Sequence, residues 1–199
     1  MFIGIDLGTS SIKMILIDQN QKILATANSS LTVQSPKDGF SEQNPQEWID
    51  STMECLEALK LKKPKEFSET ISLGISGHMH GATLIDKDGN VIRPCILWND
   101  TRSYLECEEF EKQNFDVRSI SGNITMPGFT APKINWIKKN EIDNFKKIFK
   151  VLLPKDYLRF ILTGEFFSEM SDASGTLWLD IQKRKWSNQL LSCSYLEEK

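Results

Sequence analysis

Three short segments bring together residue types that could do chemistry. The first is Asp6-Leu7-Gly8-Thr9-Ser10-Ser11. An apolar run delivers an aspartate to its end, a glycine lets the backbone turn sharply, and hydroxyl side chains follow. The N–H groups of such a turn, with the Thr9 and Ser10 hydroxyls, suit phosphate oxygens. Asp6 at the strand mouth suits Mg²⁺, directly or through water. No Gly-Lys-Ser/Thr follows, so this is not a Walker A loop; an ordinary hairpin turn is the other reading of the pattern. The second segment is Ser76-Gly77-His78-Met79-His80-Gly81, in which two glycines bracket the protein's two histidines. A neutral imidazole donates to or accepts from a sugar hydroxyl, and Met79 offers an adaptable apolar wall. Side chains two apart on an extended segment point to opposite sides, so His78 and His80 cannot easily chelate one metal ion. A structural loop histidine is the competing reading. The third segment is Leu97-Trp98-Asn99-Asp100-Thr101-Arg102. An indole, an amide, a carboxylate and a guanidinium suit a polyol, with its flat apolar face and many directional hydroxyls. A buried Trp98 followed by a helix capped by Asp100 fits the same residues.

These segments need strand ends to carry them, and the local patterns supply such ends. Phe2–Leu7 and residues 12–17 are apolar strands joined by a tight turn, and a third strand begins near Lys22 after Gln19-Asn20-Gln21. Asn44-Pro45 opens a helix, with Asn as cap and Pro in the first turn, and Trp48, Ile49, Met53, Leu56 and Leu59 recur at helical spacing. Residues 60–65 read as a basic connector. Residues 71–75 read as a buried strand leading into the two histidines, and residues 82–85 and 91–92 flank an Asp88-Gly89 hairpin signal. A strand over residues 95–98 precedes Asn99-Asp100. Residues 104–149 read as mostly helical, broken at Gly122 and at Pro127-Gly128. Residues 151–153 suggest a short buried strand, and Pro154 starts a helix that Gly164 ends. Residues 177–179 suggest a strand and 186–191 a last helix. A hairpin set followed by alternating helices and strands predicts an α/β domain with a mixed sheet.

The 199 residues, 40% of them hydrophobic, suffice for one domain with a real core. A net charge of -3 offers no basic field for nucleic acid or an anionic membrane. No apolar stretch approaches the ~20 residues needed to cross a bilayer. The start, MFIGIDLGTSS, lacks the basic region and cleavage site of a signal peptide, which predicts a cytoplasmic protein. None of the four cysteines forms a CxxC pair, so reduced thiols are expected rather than a zinc or redox site. Asp86-Lys87-Asp88-Gly89-Asn90 imitates a calcium loop, but its glycine is misplaced and no Glu closes it.

Taken together, the segments resemble the FGGY family of carbohydrate kinases across nearly the whole chain. Ile3 to Ser10 looks like the first phosphate loop of the actin-like sugar kinases. GHMHGATLID, from Gly77, and ILWNDTR, from Ile96, are similar to the ketose-binding segments of the family's xylulose-phosphorylating branch. GNITMPGFTAP followed by Lys133-Ile134-Asn135-Trp136 fits the family signature, and VLLPKDYL and SDASGTLWLD are also alike. The resemblance implies an RNase H-like (actin-like ATPase) fold with a mixed β-sheet flanked by helices. Residues 1–199 would form the N-terminal sugar-binding domain of two, with the C-terminal nucleotide-binding domain absent from this chain. It implies transfer of the γ-phosphoryl group of ATP, with Mg²⁺, to the C5 hydroxyl of D-xylulose. Met79 and His80 would contact the sugar, and Trp98, Asn99, Asp100 and Arg102 would line or support its pocket. Gly8, Thr9 and Ser10 would sit near the phosphates, and Asp6 would serve catalysis by organising Mg-ATP. The general-base Asp is expected beyond residue 199. Phosphoryl transfer relies on a closed cleft, so the chain alone is expected to turn over negligibly. The expected partners are the sugar and, among proteins, a second copy of the chain or the missing C-terminal half. A non-catalytic actin-like sugar-binding module is the alternative function.

Overall fold

The computed structural model describes residues 1–198. Phe2–Leu7 (β1), Ser11–Ile17 (β2) and Ile23–Ser30 (β3) form an antiparallel meander. Their alternation decides the faces: Ile3, Ile5, Leu7, Ile12, Met14 and Leu16 are buried, while Asp6, Lys13 and Ile15 point outward. A short strand, Glu42–Gln43 (β4), precedes Pro45–Lys62 (α1), where Asn44 Oδ1 accepts the Gln46 N–H at 3.1 Å. The buried stripe of α1 runs through Trp48, Ser51, Thr52, Cys55 and Leu59, so Met53 lies on its exposed side. What reads as a basic connector is the end of α1 followed by a one-turn helix, Pro64–Ser68 (α2), started by its proline.

The chain returns as Ser72–Gly77 (β5), parallel to β1, giving the order β3-β2-β1-β5. Among the described residues β5 has a strand partner on one side only, and its residues are mostly exposed rather than buried as their apolar run suggests. Thr83–Ile85 (β6) follows, and beyond it the Asp86–Asn90 turn forms as expected, with the Asp86 N–H donating to the Asn90 carbonyl. Residues 91–92 contribute a single bridge there, because the ladder partner of β6 is Lys150–Leu152 (β8). Cys95–Ile96 (β7) pairs with β4. Between β7 and β8 lie Tyr104–Glu111 (α3), Val117–Ser121 (α4), Thr130–Asn140 (α5) and Ile142–Phe145 (α6). Pro154–Thr163 (α7) ends on Gly164 in the left-handed conformation. Met170–Ser174 (α8), Leu179–Asp180 (β9), Lys185–Trp186 (β10) and Asn188–Ser192 (α9) complete the fold.

Two apolar clusters hold these elements. One joins the four-stranded sheet to α1 and α7 through Trp48, Leu59, Tyr157 and Leu158. The other gathers Leu84, Ile96, Phe110, Phe129, Ile134 and Trp178. The result is the expected α/β arrangement, a mixed sheet with helices packed on it. Among the described residues no helix is long and apolar enough to cross a membrane.

Candidate functional site

The parallel pairing of β1 with β5 sets Asp6 beside Ser76 and Leu7 beside Gly77. The His78 N–H then donates to the Leu7 carbonyl at 2.8 Å, extending the ladder past both strand ends. The turn after β1 and the loop after β5 therefore leave the same edge of the sheet as neighbours. Loops at the carboxyl ends of adjacent parallel strands are where α/β sheets form ligand clefts.

The first loop is tightly made. The Gly8 N–H donates to the Ser11 carbonyl at 3.0 Å, and a Cβ on Gly8 would stand 2.9 Å from that oxygen, so only glycine fits. The Gln43 side-chain N–H donates to the Thr9 carbonyl at 2.6 Å, and the Trp98 indole N–H donates to Thr9 Oγ1 at 3.1 Å. With its oxygen accepting from Trp98, the Thr9 hydroxyl keeps its own proton for a ligand. Ser10 is exposed beside it, and the exposed Asp6 carboxylate has no protein hydrogen bond or ion pair among the described residues.

The second loop separates the histidines by burial. His78 is 7% exposed, packs edge-on against Trp48 at 5.5 Å between ring centroids, and among the described residues finds no hydrogen-bond partner for either ring nitrogen. Burial, and then the positive charge of Lys133, push its pKa down to about 4, so it is a neutral core residue. His80 faces a groove instead. Its backbone is left-handed, with φ 63°, a conformation that a non-glycine residue holds only when its surroundings enforce it. Here they do. The His80 carbonyl accepts from Thr130 Oγ1 at 3.1 Å and from Lys133 Nζ at 2.9 Å, and its ring meets Phe129 edge-on at 4.6 Å. Nδ1 lies 3.0 Å from the Gly175 carbonyl. A carbonyl only accepts, so the proton sits on Nδ1 and Nε2 keeps its lone pair. Burial lowers the His80 pKa in spite of the Gly175 bond, which favours the neutral ring.

The groove, of about 480 Å³, is lined by Met79, His80, Phe129, Lys155, Asp172 and Gly175 among others. Met79 is 42% exposed there. The bracketing glycines let the loop lie on the start of α7. A Cβ at Gly81 would be 2.6 Å from Pro154 Cγ, and one at Gly77 would be 3.4 Å from Lys155 Cβ.

The third segment divides. Trp98 and Asn99 are exposed, and Trp98 belongs to the Thr9 turn rather than to the groove wall. Asp100 and Arg102 lie behind both loops. Asp100 accepts the Ser41 N–H at 2.6 Å and the Arg102 backbone N–H at 2.9 Å, and pairs with the Arg102 guanidinium at 2.7 Å. Arg102 also pairs with Glu42 at 2.7 Å and covers the Phe40 ring at 3.7 Å. Arg93 joins Glu42 to Glu141. Asp100 does not cap a helix, because α3 begins at Tyr104 with Ser103 at its cap position; its carboxylate is spent on the Ser41 and Arg102 N–H groups and a buried ion cluster.

Two groups escaped the sequence reading. Lys133 is fully buried, and its ammonium donates to the carbonyls of both His80 and Gly128, the latter at 2.7 Å. Burial pushes its pKa down to about 7. Its signal was a lysine on the buried stripe Thr130, Ile134, Ile137 of α5. The other group is the Lys155–Asp172 ion pair at 2.8 Å, whose partners sit on separate elements.

The buried His78 predicts a pH dependence of stability. Its folded pKa of about 4 lies below the ~6.5 of an unfolded histidine. Between those values the unfolded chain takes up a proton that the folded chain refuses, so stability is present above pH 6.5 and drains as the pH falls toward 4. The expected loss from His78 is about 2 kcal/mol between pH 7 and pH 5. Urea unfolding at both values, on the protein and on His78→Phe, measures it. If the variant keeps the whole pH slope, His78 is not the cause.

The sequence profile of the N-terminal domain of the FGGY family of carbohydrate kinases matches residues 1–199. The chain is 49% identical over 191 residues to the xylulose kinase of Escherichia coli (strain K12), a match covering 96% of this chain and 39% of that protein. It is 43% identical over 189 residues to the xylulose kinase of Bacillus subtilis (strain 168), covering 94% and 38%. A xylulose kinase crystal structure from Brucella ovis superposes with TM-score 0.95 at 52% identity, over 98% of this chain and 41% of that one. The chain therefore spans about two fifths of the length of the relatives it matches.

Proposed function

The chain belongs to the FGGY family of carbohydrate kinases, and on that premise we propose that it is the sugar-binding part of an ATP-dependent kinase acting on the C5 hydroxyl of D-xylulose. Its xylulose kinase relatives support the choice of sugar. The observation that carries the reading is the 2.8 Å bond from the His78 N–H to the Leu7 carbonyl, which sets a phosphate-type turn and a sugar-type loop side by side. Gly8, Thr9 and Ser10 then face the phosphates, with the Gly8–Ser11 turn and the spare Thr9 proton as donors. Mg²⁺ suits Asp6, whose carboxylate is exposed and unspent. Among the described residues no three carboxylates, histidines or cysteines converge as ligands, so phosphate oxygens and water would complete its shell, the usual arrangement for this ion. Bound there, it would neutralise charge on the transferred phosphoryl group. Met79 supplies an apolar wall. His80, held neutral, accepts a hydrogen bond from a sugar hydroxyl through Nε2. Trp98 and Asn99 border the phosphate side, and Asp100 and Arg102 support both loops from behind. The acid–base step falls to an aspartate outside residues 1–199, and the protein works in the cytoplasm.

Calorimetric titration with D-xylulose, together with an ADP-release assay on the chain and on a form extended to the length of its relatives, tests this. Sugar binding is expected in both, and ADP release in the extended form. There, Asp6→Asn is expected to lower turnover about 100-fold or more, the size of effect seen when a group stabilising transition-state charge is lost, with sugar affinity nearly unchanged. Sugar binding without ADP release from the extended form would favour a non-catalytic sugar-binding module. Absence of sugar binding would sink both readings.

A further inference from the structure

Lys155 lies in the first turn of α7, against the loop that carries His80. Its side chain is largely buried, yet it lines the same groove as Met79 and His80. The ammonium stands 2.8 Å from Asp172 Oδ2 and 3.4 Å from Asp156 Oδ1. Burial alone would lower its pKa, but the two carboxylates carry it above the usual lysine range, so it is a cation. An ammonium has three N–H donors. One N–H bonds Asp156 Oδ1, a second faces Asp172 Oδ2 as an ion pair, and among the described residues the third has no protein acceptor. The groove thus offers a fixed cationic donor at Lys155 and a bare acceptor nitrogen at His80 Nε2.

We propose that Lys155 contacts the ligand and selects a ketose: its third N–H donates to the keto oxygen, while His80 Nε2 accepts from the neighbouring hydroxyl. The inference rests on the sugar-kinase reading of the groove. An α-hydroxyketone presents an acceptor and a donor on adjacent carbons, the complement of this pair. Reducing the keto carbon makes it tetrahedral and adds a proton to its oxygen, which turns the lone pairs out of the carbonyl plane. An ammonium pinned by two carboxylates cannot follow them. Specificity of this kind comes from leaving a buried polar group unpaired with the wrong ligand.

Isothermal titration with D-xylulose and with its two C2-reduced counterparts, xylitol and D-arabinitol, tests the assignment. The protein is expected to prefer the ketose. Lys155→Met is expected to lower D-xylulose affinity about 10- to 100-fold while changing polyol affinity less than about threefold, as for loss of one charged hydrogen bond. That variant leaves the buried Asp172 carboxylate without a cation, while Asp156 keeps Arg159 at 3.8 Å, and an unpaired buried charge destabilises a fold. The double variant Lys155→Met/Asp172→Asn relieves this charge and is expected to fold and to lose the same preference. If the wild type binds the ketose but either folded variant keeps the ketose-to-polyol ratio, Lys155 is not a ligand contact and the sugar-kinase reading stands. If the wild type binds no ketose, both fall.

Discussion

Replacing Asp100 with alanine is expected to destabilise the protein by about 3–5 kcal/mol, the cost of breaking a buried ion pair from one side. Asp100 is 1% exposed. Its carboxylate takes backbone N–H groups from Ser41 and Arg102 and two guanidinium N–H groups of Arg102. Alanine leaves all four donors in a space that water does not reach. Glu42 cannot compensate, because it already serves both Arg93 and Arg102. Against a total stability of order 5–15 kcal/mol, such a loss is a large fraction. Urea denaturation measures it directly. Calorimetry on the molecules that remain folded should return an almost unchanged sugar affinity, since Asp100 lies behind the groove rather than in its wall. A variant with normal stability and poor sugar binding would make Asp100 a ligand group instead.

Gly175→Ala is expected to act in the opposite way, with a modest effect on stability and a loss of sugar affinity of roughly 10- to 100-fold, the worth of a hydrogen bond whose partner is left unpaired. A Cβ at Gly175 would fall on His80 Cε1 and Nδ1. The ring must then leave its place against Phe129, and the bond from Nδ1 to the Gly175 carbonyl breaks. With it goes the restraint that keeps Nε2 bare and aimed. His80→Ala should cost about as much. The double variant should cost little more than either single one, because both changes remove the same interaction. Additive losses in that cycle would show that Gly175 acts by a route other than His80.

Much of the site was legible before the fold. The Asp6–Ser11 pattern announced a strand ending in a tight glycine turn, and Gly8 makes that turn as expected. The two-residue spacing of His78 and His80 announced that they would part company, and they do, one into the core and one to the groove. These readings rest on local rules: side-chain alternation along an extended backbone, and the steric freedom of glycine. Residues 71–75 show where such rules stop. Their apolar run suggests burial, but whether a strand is covered depends on what lies against it, and among the described residues β5 pairs on one side only.

The residue types and their order were enough, by themselves, to point to the family and the two loops and to separate the two histidines, since each is written within a few neighbouring positions. Tertiary structure alone decided that Asp100 and Arg102 belong to an ion cluster with Glu42 and Arg93, that Lys133 is spent on the His80 carbonyl, and that Lys155 meets Asp172. The reason is physical. The burial of a charge and the identity of its partner depend on which distant segments pack together, and only the assembled core brings residues 42 and 102, or 155 and 172, within reach of a hydrogen bond.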